Sequence, residues 1–184
     1  MIRDLRVQQS AENEIQSAGS GEGGVAQNEI KIMTSDGINK ADWDIIQNYA
    51  ARIAAAICND QEGVSIDLTE RLLKSLSQLE AKYGRLPSIV ATEADYTHDQ
   101  ASRVKLLEEA FLLATEREDT SNQALSASSL AETFLEEMPD LHAAQRWLDA
   151  LGEALGEKWD DSEYKEFNRL VVQFESLRQK VVQS

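Results

Sequence analysis

The sequence has a single cysteine and no long run of apolar residues. Cys58 alone cannot form an internal disulfide bond, and so few thiols are typical of a reducing compartment. No apolar run approaches the about 20 residues that a membrane-spanning helix needs. The first residues, MIRDLRVQQSAENEIQSAGSGEGG, lack the apolar stretch of a secretory signal peptide. These absences predict a soluble, cytoplasmic protein without membrane contact, with Cys58 as a half-buried thiol.

Residue types that carry chemistry are equally scarce. The two histidines, His98 and His142, fall at predicted helix starts, and Cys58 has no histidine near it in sequence. The acids of residues 160–163 lack the alternating spacing and the glycine of a calcium loop, and a helix N-terminus explains them better. The glycines of residues 19–24 precede no Gly-Lys-Ser/Thr motif, so they form no phosphate loop. The sequence predicts no enzyme, no cofactor and no metal site.

Basic residues are few compared with acidic ones. Lysine and arginine number 18 against 33 aspartates and glutamates, which gives a net charge of −15. Over half of that charge lies between Glu132 and Glu166, where eleven acids face three basic residues. Such a field repels phosphate backbones and disfavours nucleic acid as a partner, whereas it would steer a basic protein. A surface that only confers solubility is the other interpretation of the same charge.

Apolar residues recur at helical spacing along most of the chain. The pattern predicts seven helices and no strand, with the first helix over Lys40–Cys58 and the second from about Asp67 to Tyr83. Residues 1–38 look irregular and include a linker-like run at 18–24, so we predict a flexible or irregular tail there and one helical domain over 39–184. Predicted helix starts, in chain order after the second helix, are Pro87, Thr97, Thr120, Asp140 and Asp161.

The segment from Leu130 to Leu155 contains the clearest pair of helices. Small residues, Ala131 and Ala144, lie where packed helices need a close approach, and Trp147 shares a face with large apolar residues. The two patterns meet at residues 138–140, which is the arrangement of a helical hairpin. We therefore expect Trp147 in the core.

A shift of about 40 residues brings this hairpin onto the preceding one, placing Ala91 on Ala131, for example. The segments LPSIVATEADYTHDQASRVKLLEEAFLLA and SLAETFLEEMPDLHAAQRWLDAL resemble the tetratricopeptide repeat. The second segment has the small residue and the aromatic of the first helix (Ala131 and Phe134), the acidic turn, and an alanine in the second helix (Ala144). The resemblance implies an α-solenoid of stacked antiparallel hairpins with a concave protein-binding face. Adaptors, secretion chaperones and immunity proteins of polymorphic toxins look like this.

Two functions from different classes follow. The first is a non-catalytic module that binds a basic protein through an acidic face, most sharply as an immunity or antitoxin-like inhibitor of a toxin. The second is an adaptor or chaperone that binds a peptide in its groove through Thr92, Glu93, Tyr96, Ser126, Ser129 and Thr133. For the first function, with Trp159 as an interface anchor, the predicted partner-binding residues are Glu132, Glu136, Glu137, Asp140, Asp149, Glu153, Trp159, Asp160 and Asp161.

Overall fold

The computed structural model describes residues 34–156 and 160–182, which are all-α, as predicted. None of the helices in these ranges combines the length and the apolar composition needed to cross a membrane. The seven helices are α1 (Lys40–Cys58), α2 (Glu62–Tyr83), α3 (Pro87–Asp95), α4 (Gln100–Glu116), α5 (Thr120–Glu136), α6 (Leu141–Leu155) and α7 (Asp161–Val182).

The described residues fall into two compact units. The first contains Asn39–Ser75, and therefore α1 and the first part of α2. The Asn39 side chain caps α1 by accepting a hydrogen bond from the amide of Ala41. The predicted bounds of α1, Lys40–Cys58, are confirmed. The residues that α1 buries repeat at helical spacing and are Ile46, Ala50, Ile53 and Ala56.

Two predictions in this unit are wrong. Helix α2 begins at Glu62 rather than near Asp67, because its first turns expose their apolar residues, Val64 and Ile66, and so carry no apolar stripe. Cys58 is exposed and not half-buried, because the buried face of α1 ends at Ala56.

The second unit contains Ser35–Ile38 and the chain from Leu76 onward. Each helix from α3 to α7 packs against the next. In addition, α5 contacts both α3 and α7. Trp147 is buried as predicted, and Ala131 and Ala144 are fully buried where helices approach closely. The core also includes Leu107, Leu130, Leu148, Leu151, Leu170 and Phe174.

Aspartates cap three consecutive helices of this unit. The carboxylates of Asp99, Asp119 and Asp140 accept backbone N–H groups in the first turns of α4, α5 and α6. The cap at Asp140 confirms the prediction. The cap predicted for α4 at Thr97 is wrong. The Thr97 hydroxyl instead donates to the carbonyl of Glu93 in the last turn of α3, and Asp99 is the residue that caps α4.

Residues 35–38, at the end of the predicted tail, are held within the second unit. Helix α3 has no side-chain cap of its own at Leu86, and Asp36 instead accepts the amide N–H of Ser88 at 2.9 Å. The Asn122 amide donates to the Ser35 hydroxyl at 3.0 Å, and Ile38 is fully buried. Residues 1–33 of the predicted tail lie outside the described residues.

Candidate partner-binding surface

The carboxylates of Glu132 and Glu136 on α5 are both held by Arg169 of α7. Arg169 Nη2 lies 2.8 Å from Glu132 and Nη1 lies 3.5 Å from Glu136, while Glu166 binds the same guanidinium at 2.9 Å. These contacts, led by the hydrogen bond to Glu166, raise the pKa of Arg169 above its usual range. Gln173 of α7 also donates to Glu136. The two predicted partner-binding acids thus join α5 to α7.

Glu137 is used in a second internal contact, with Arg103 of α4. Arg103 is only 6% exposed, and its Nη1 lies 3.2 Å from both Glu137 Oε2 and the hydroxyl of buried Thr133. Asp95, at the end of α3, adds a carboxylate at 3.9 Å. A buried guanidinium requires such partners, because an unpaired charge in the interior is costly. Glu137 therefore neutralises a buried charge.

Asp140 and Asp160 bind backbone amides at helix starts. Asp140 Oδ1 accepts the N–H groups of His142 and Ala143. Asp160 Oδ1 accepts those of Ser162 and Glu163, and the Glu163 side chain returns a bond to the Asp160 amide, which is a reciprocal capping box. Both aspartates are exposed, so they face solvent while capping.

The other predicted acids, Asp149, Glu153 and Asp161, are exposed. None of these three has a salt bridge to a basic residue within the described ranges. Asp149 and Glu153 are four residues apart on α6 and share its exposed face, where Gln145 donates to Asp149. Asp161 begins α7. Trp159, the predicted anchor, lies outside the described residues.

The groove residues predicted for the adaptor function are largely engaged inside the fold. Ser126 and Thr133 are fully buried, so they cannot contact a peptide in this conformation. Glu93 is one of three carboxylates around Arg85, and the Thr92 hydroxyl donates to the Ser88 carbonyl. Burial raises the pKa of Tyr96 to about 12.

Sequence reasoning missed the basic residues that decide which acids are available. Arg103 and Arg169 recruit Glu132, Glu136 and Glu137, and no local spacing signals this, since the partners are 30 or more residues apart in sequence. It also missed a contact between α4 and α6. There the ring of Phe111 packs edge-on against Trp147, and Arg146 lies over the indole while it binds Glu108.

The two histidines and possible metal ligands are the remaining candidates for chemistry. His98 and His142 are exposed. Among the residues that the structure describes, no group of three His, Cys, Asp or Glu side chains is placed to hold a metal ion.

Comparison of the chain with protein-family models, curated proteins and solved structures gave no match.

Proposed function

We propose that the protein is a non-catalytic binding module that captures a basic protein through acids on α6 and at the start of α7. The observation that carries the proposal is that some predicted acids are bound by arginines of the protein itself and others are not. Glu132, Glu136 and Glu137 are bound by arginines, whereas Asp149 and Glu153 remain exposed with no salt bridge in the described ranges. Asp160 and Asp161 add two exposed carboxylates at the next helix start.

Regular contacts between alternate helices support a scaffold of stacked hairpins within the second unit. Glu132–Arg169 and Glu136–Gln173 join residues 37 positions apart on α5 and α7. Glu108–Arg146 joins residues 38 apart on α4 and α6, and Phe111 meets Trp147 close by. A near-constant separation is what a repeat of helical hairpins produces, because each helix lies beside its equivalent in the next repeat.

Burial follows the same period at part of these positions. A shift of 37 residues places three of the six buried positions of α3 on buried positions of α5, and three of the four buried positions of α4 on buried positions of α6. The small residues Ala94 and Ala131 coincide, which favours close helix packing as in the tetratricopeptide repeat. The matched pairs are Ile89 with Ser126, Val90 with Ala127, Ala94 with Ala131, Leu107 with Ala144, Ala110 with Trp147, and Ala114 with Leu151.

The intervals between the starts of alternate helices differ from the 37-residue interval of the packing contacts. Helices α4 and α6 begin at Gln100 and Leu141, and α5 and α7 begin at Thr120 and Asp161, so both pairs are 41 residues apart. The starts of α3 and α5, Pro87 and Thr120, are only 33 residues apart. The shift of about 40 predicted from the sequence therefore fits the starts of the other two pairs but not those of α3 and α5. Relative to the packing shift of 37, α6 and α7 start about one turn later than α4 and α5, whereas α5 starts about one turn earlier than α3.

A basic partner gains in two ways from such a surface. The excess negative charge accelerates encounter, and fixed carboxylates on a rigid helix select partners by charge complementarity. The sharpest form of the proposal is an inhibitor of a basic toxin, of the immunity or antitoxin type. In that case the acidic face would cover the toxin's own basic substrate-binding surface.

The test is a titration of the protein against small basic proteins, among them any product of a neighbouring gene, at low and high salt. We expect the double variant Asp149→Lys/Glu153→Lys to weaken binding at least tenfold at low salt, because it reverses two contacting charges. The control, Glu62→Lys/Glu70→Lys, makes the same change in net charge at exposed positions of α2 and is expected to bind like the wild type. Equal loss in both variants, or none in the first, contradicts the proposal.

A further inference from the structure

The exposed side of α4 carries an apolar residue that the core does not use. Leu112 is 62% exposed, while its neighbour Phe111 is half-buried against Trp147. Single exposed leucines are common on protein surfaces. The position of this one relative to the acids of α6 is what gives it significance.

The register between α4 and α6 sets that position. Glu108 of α4 contacts Arg146 of α6, and Phe111 contacts Trp147, so the two contacts follow the same order along both helices. One turn beyond Glu108 lies Leu112, and about one turn beyond Arg146 lies Asp149.

A further turn along each helix leads to a second pair of acids. Glu116 is the last residue of α4 and Glu153 lies in the last turn of α6, and both are exposed. The unsatisfied carbonyls at the two helix C-termini add partial negative charge to these carboxylates. From the register set by these two contacts, we expect Leu112, Glu116, Asp149 and Glu153 to share one surface, which we call the α4–α6 face.

We propose that the α4–α6 face binds a lysine- or arginine-rich segment of the partner that presents an aliphatic side chain to Leu112. This inference rests on the proposed function and specifies its partner. An apolar contact surrounded by charged residues is the usual composition of an interface, in which the central contact supplies affinity and the rim supplies selectivity. Charge complementarity requires the partner segment to be positively charged. Contact with Leu112 requires an apolar residue among the basic residues of that segment.

Two labelled helical peptides of equal length and equal lysine content separate the contribution of charge from that of the apolar contact. One has leucine at the remaining positions of a single face, and the other has serine there. We expect the lysine–leucine peptide to bind about tenfold more tightly, in line with burial of one aliphatic contact. Fluorescence anisotropy of each peptide with the full-length protein measures the difference.

The variant Leu112→Ser should remove this tenfold preference and leave binding of the lysine–serine peptide unchanged. Leu125→Ser is the matched control, since Leu125 is an exposed leucine, 38% accessible, that belongs to α5 and not to the α4–α6 face. It should retain the preference. Circular dichroism verifies that both variants are folded, which exposed positions favour.

The results separate this inference from the function on which it rests. If Asp149→Lys/Glu153→Lys weakens binding of both peptides but Leu112→Ser changes neither, the acidic surface stands and the apolar contact is refuted. The apolar contact is also refuted if Leu125→Ser acts like Leu112→Ser. If the charge reversal binds both peptides as well as Glu62→Lys/Glu70→Lys does, the proposed function fails, and this inference fails with it.

Discussion

At the scale of single residues, Arg103 has the clearest energetic role. Its guanidinium is buried between α4 and α5 and is satisfied by Thr133 and Glu137. Replacing it with methionine removes the guanidinium that the Glu137 carboxylate binds and takes one partner from the buried hydroxyl of Thr133. We expect Arg103→Met to lower the free energy of unfolding by about 2–3 kcal/mol, measured by urea denaturation.

The control at this scale is Arg178→Met. Arg178 forms an ion pair with Glu175 on the same helix, and the two side chains are 59% and 41% exposed. Exposed pairs contribute about 0–1 kcal/mol, so this variant should unfold close to the wild type. If the free energy of unfolding falls equally in the two variants, the burial of Arg103 does not explain its contribution to stability.

At the scale of elements, the start of α6 depends on one carboxylate. Asp140 Oδ1 accepts two backbone N–H groups that have no partner within the helix. We expect Asp140→Ala to lower the free energy of unfolding by about 1 kcal/mol, measured by chemical denaturation.

Asp140→Asn keeps the capping oxygen and removes the charge, so it should retain most of that stability. Because Asp140 is also a predicted partner-binding residue, this variant separates capping from binding. A large loss of stability in Asp140→Asn would mean that the charge, and not the cap, holds the start of α6.

At the scale of the whole molecule, paired carboxylates make stability depend on pH. The hydrogen bond from Arg85 lowers the pKa of Glu109 below its ordinary 4.5, and hydrogen bonds from Ser102 lower that of Asp99 below 3.8. The unfolded chain, with ordinary pKa values, takes up protons first as the pH falls. The contribution of both groups is therefore complete above about pH 5 and is lost as the pH falls through their folded-state pKa values.

We expect the free energy of unfolding of the wild type to fall between pH 5 and pH 3. Glu109→Gln cannot titrate at this site, and it starts from lower stability at pH 7 because its charge pair with Arg85 is already lost. The difference between the two proteins should therefore narrow as the pH falls, in urea unfolding curves taken at each pH. A difference that is constant from pH 7 to pH 3 refutes this assignment.

Local patterns predicted what depends on local physics. The stripe of α1, the cap at Asp140, Pro87 in the first turn of α3 and the burial of Trp147 all follow from spacing within one or two helical turns. The start of α2 escaped prediction because Val64 and Ile66 are exposed there. Asp36 as the cap of α3 could not be found, since it lies 52 residues from the amide that it accepts.

The sequence by itself determined the class of fold, the helix faces and the concentration of acid after Glu132, because periodicity, capping and charge are properties of neighbouring residues. Only the tertiary structure decided which acids remain exposed. It brought Arg169 to Glu132 and Arg103 to Glu137, and left Asp149 and Glu153 exposed on α6. The physical reason is that an ion pair depends on distance in space, and packing places side chains together whose separation in sequence carries no signal.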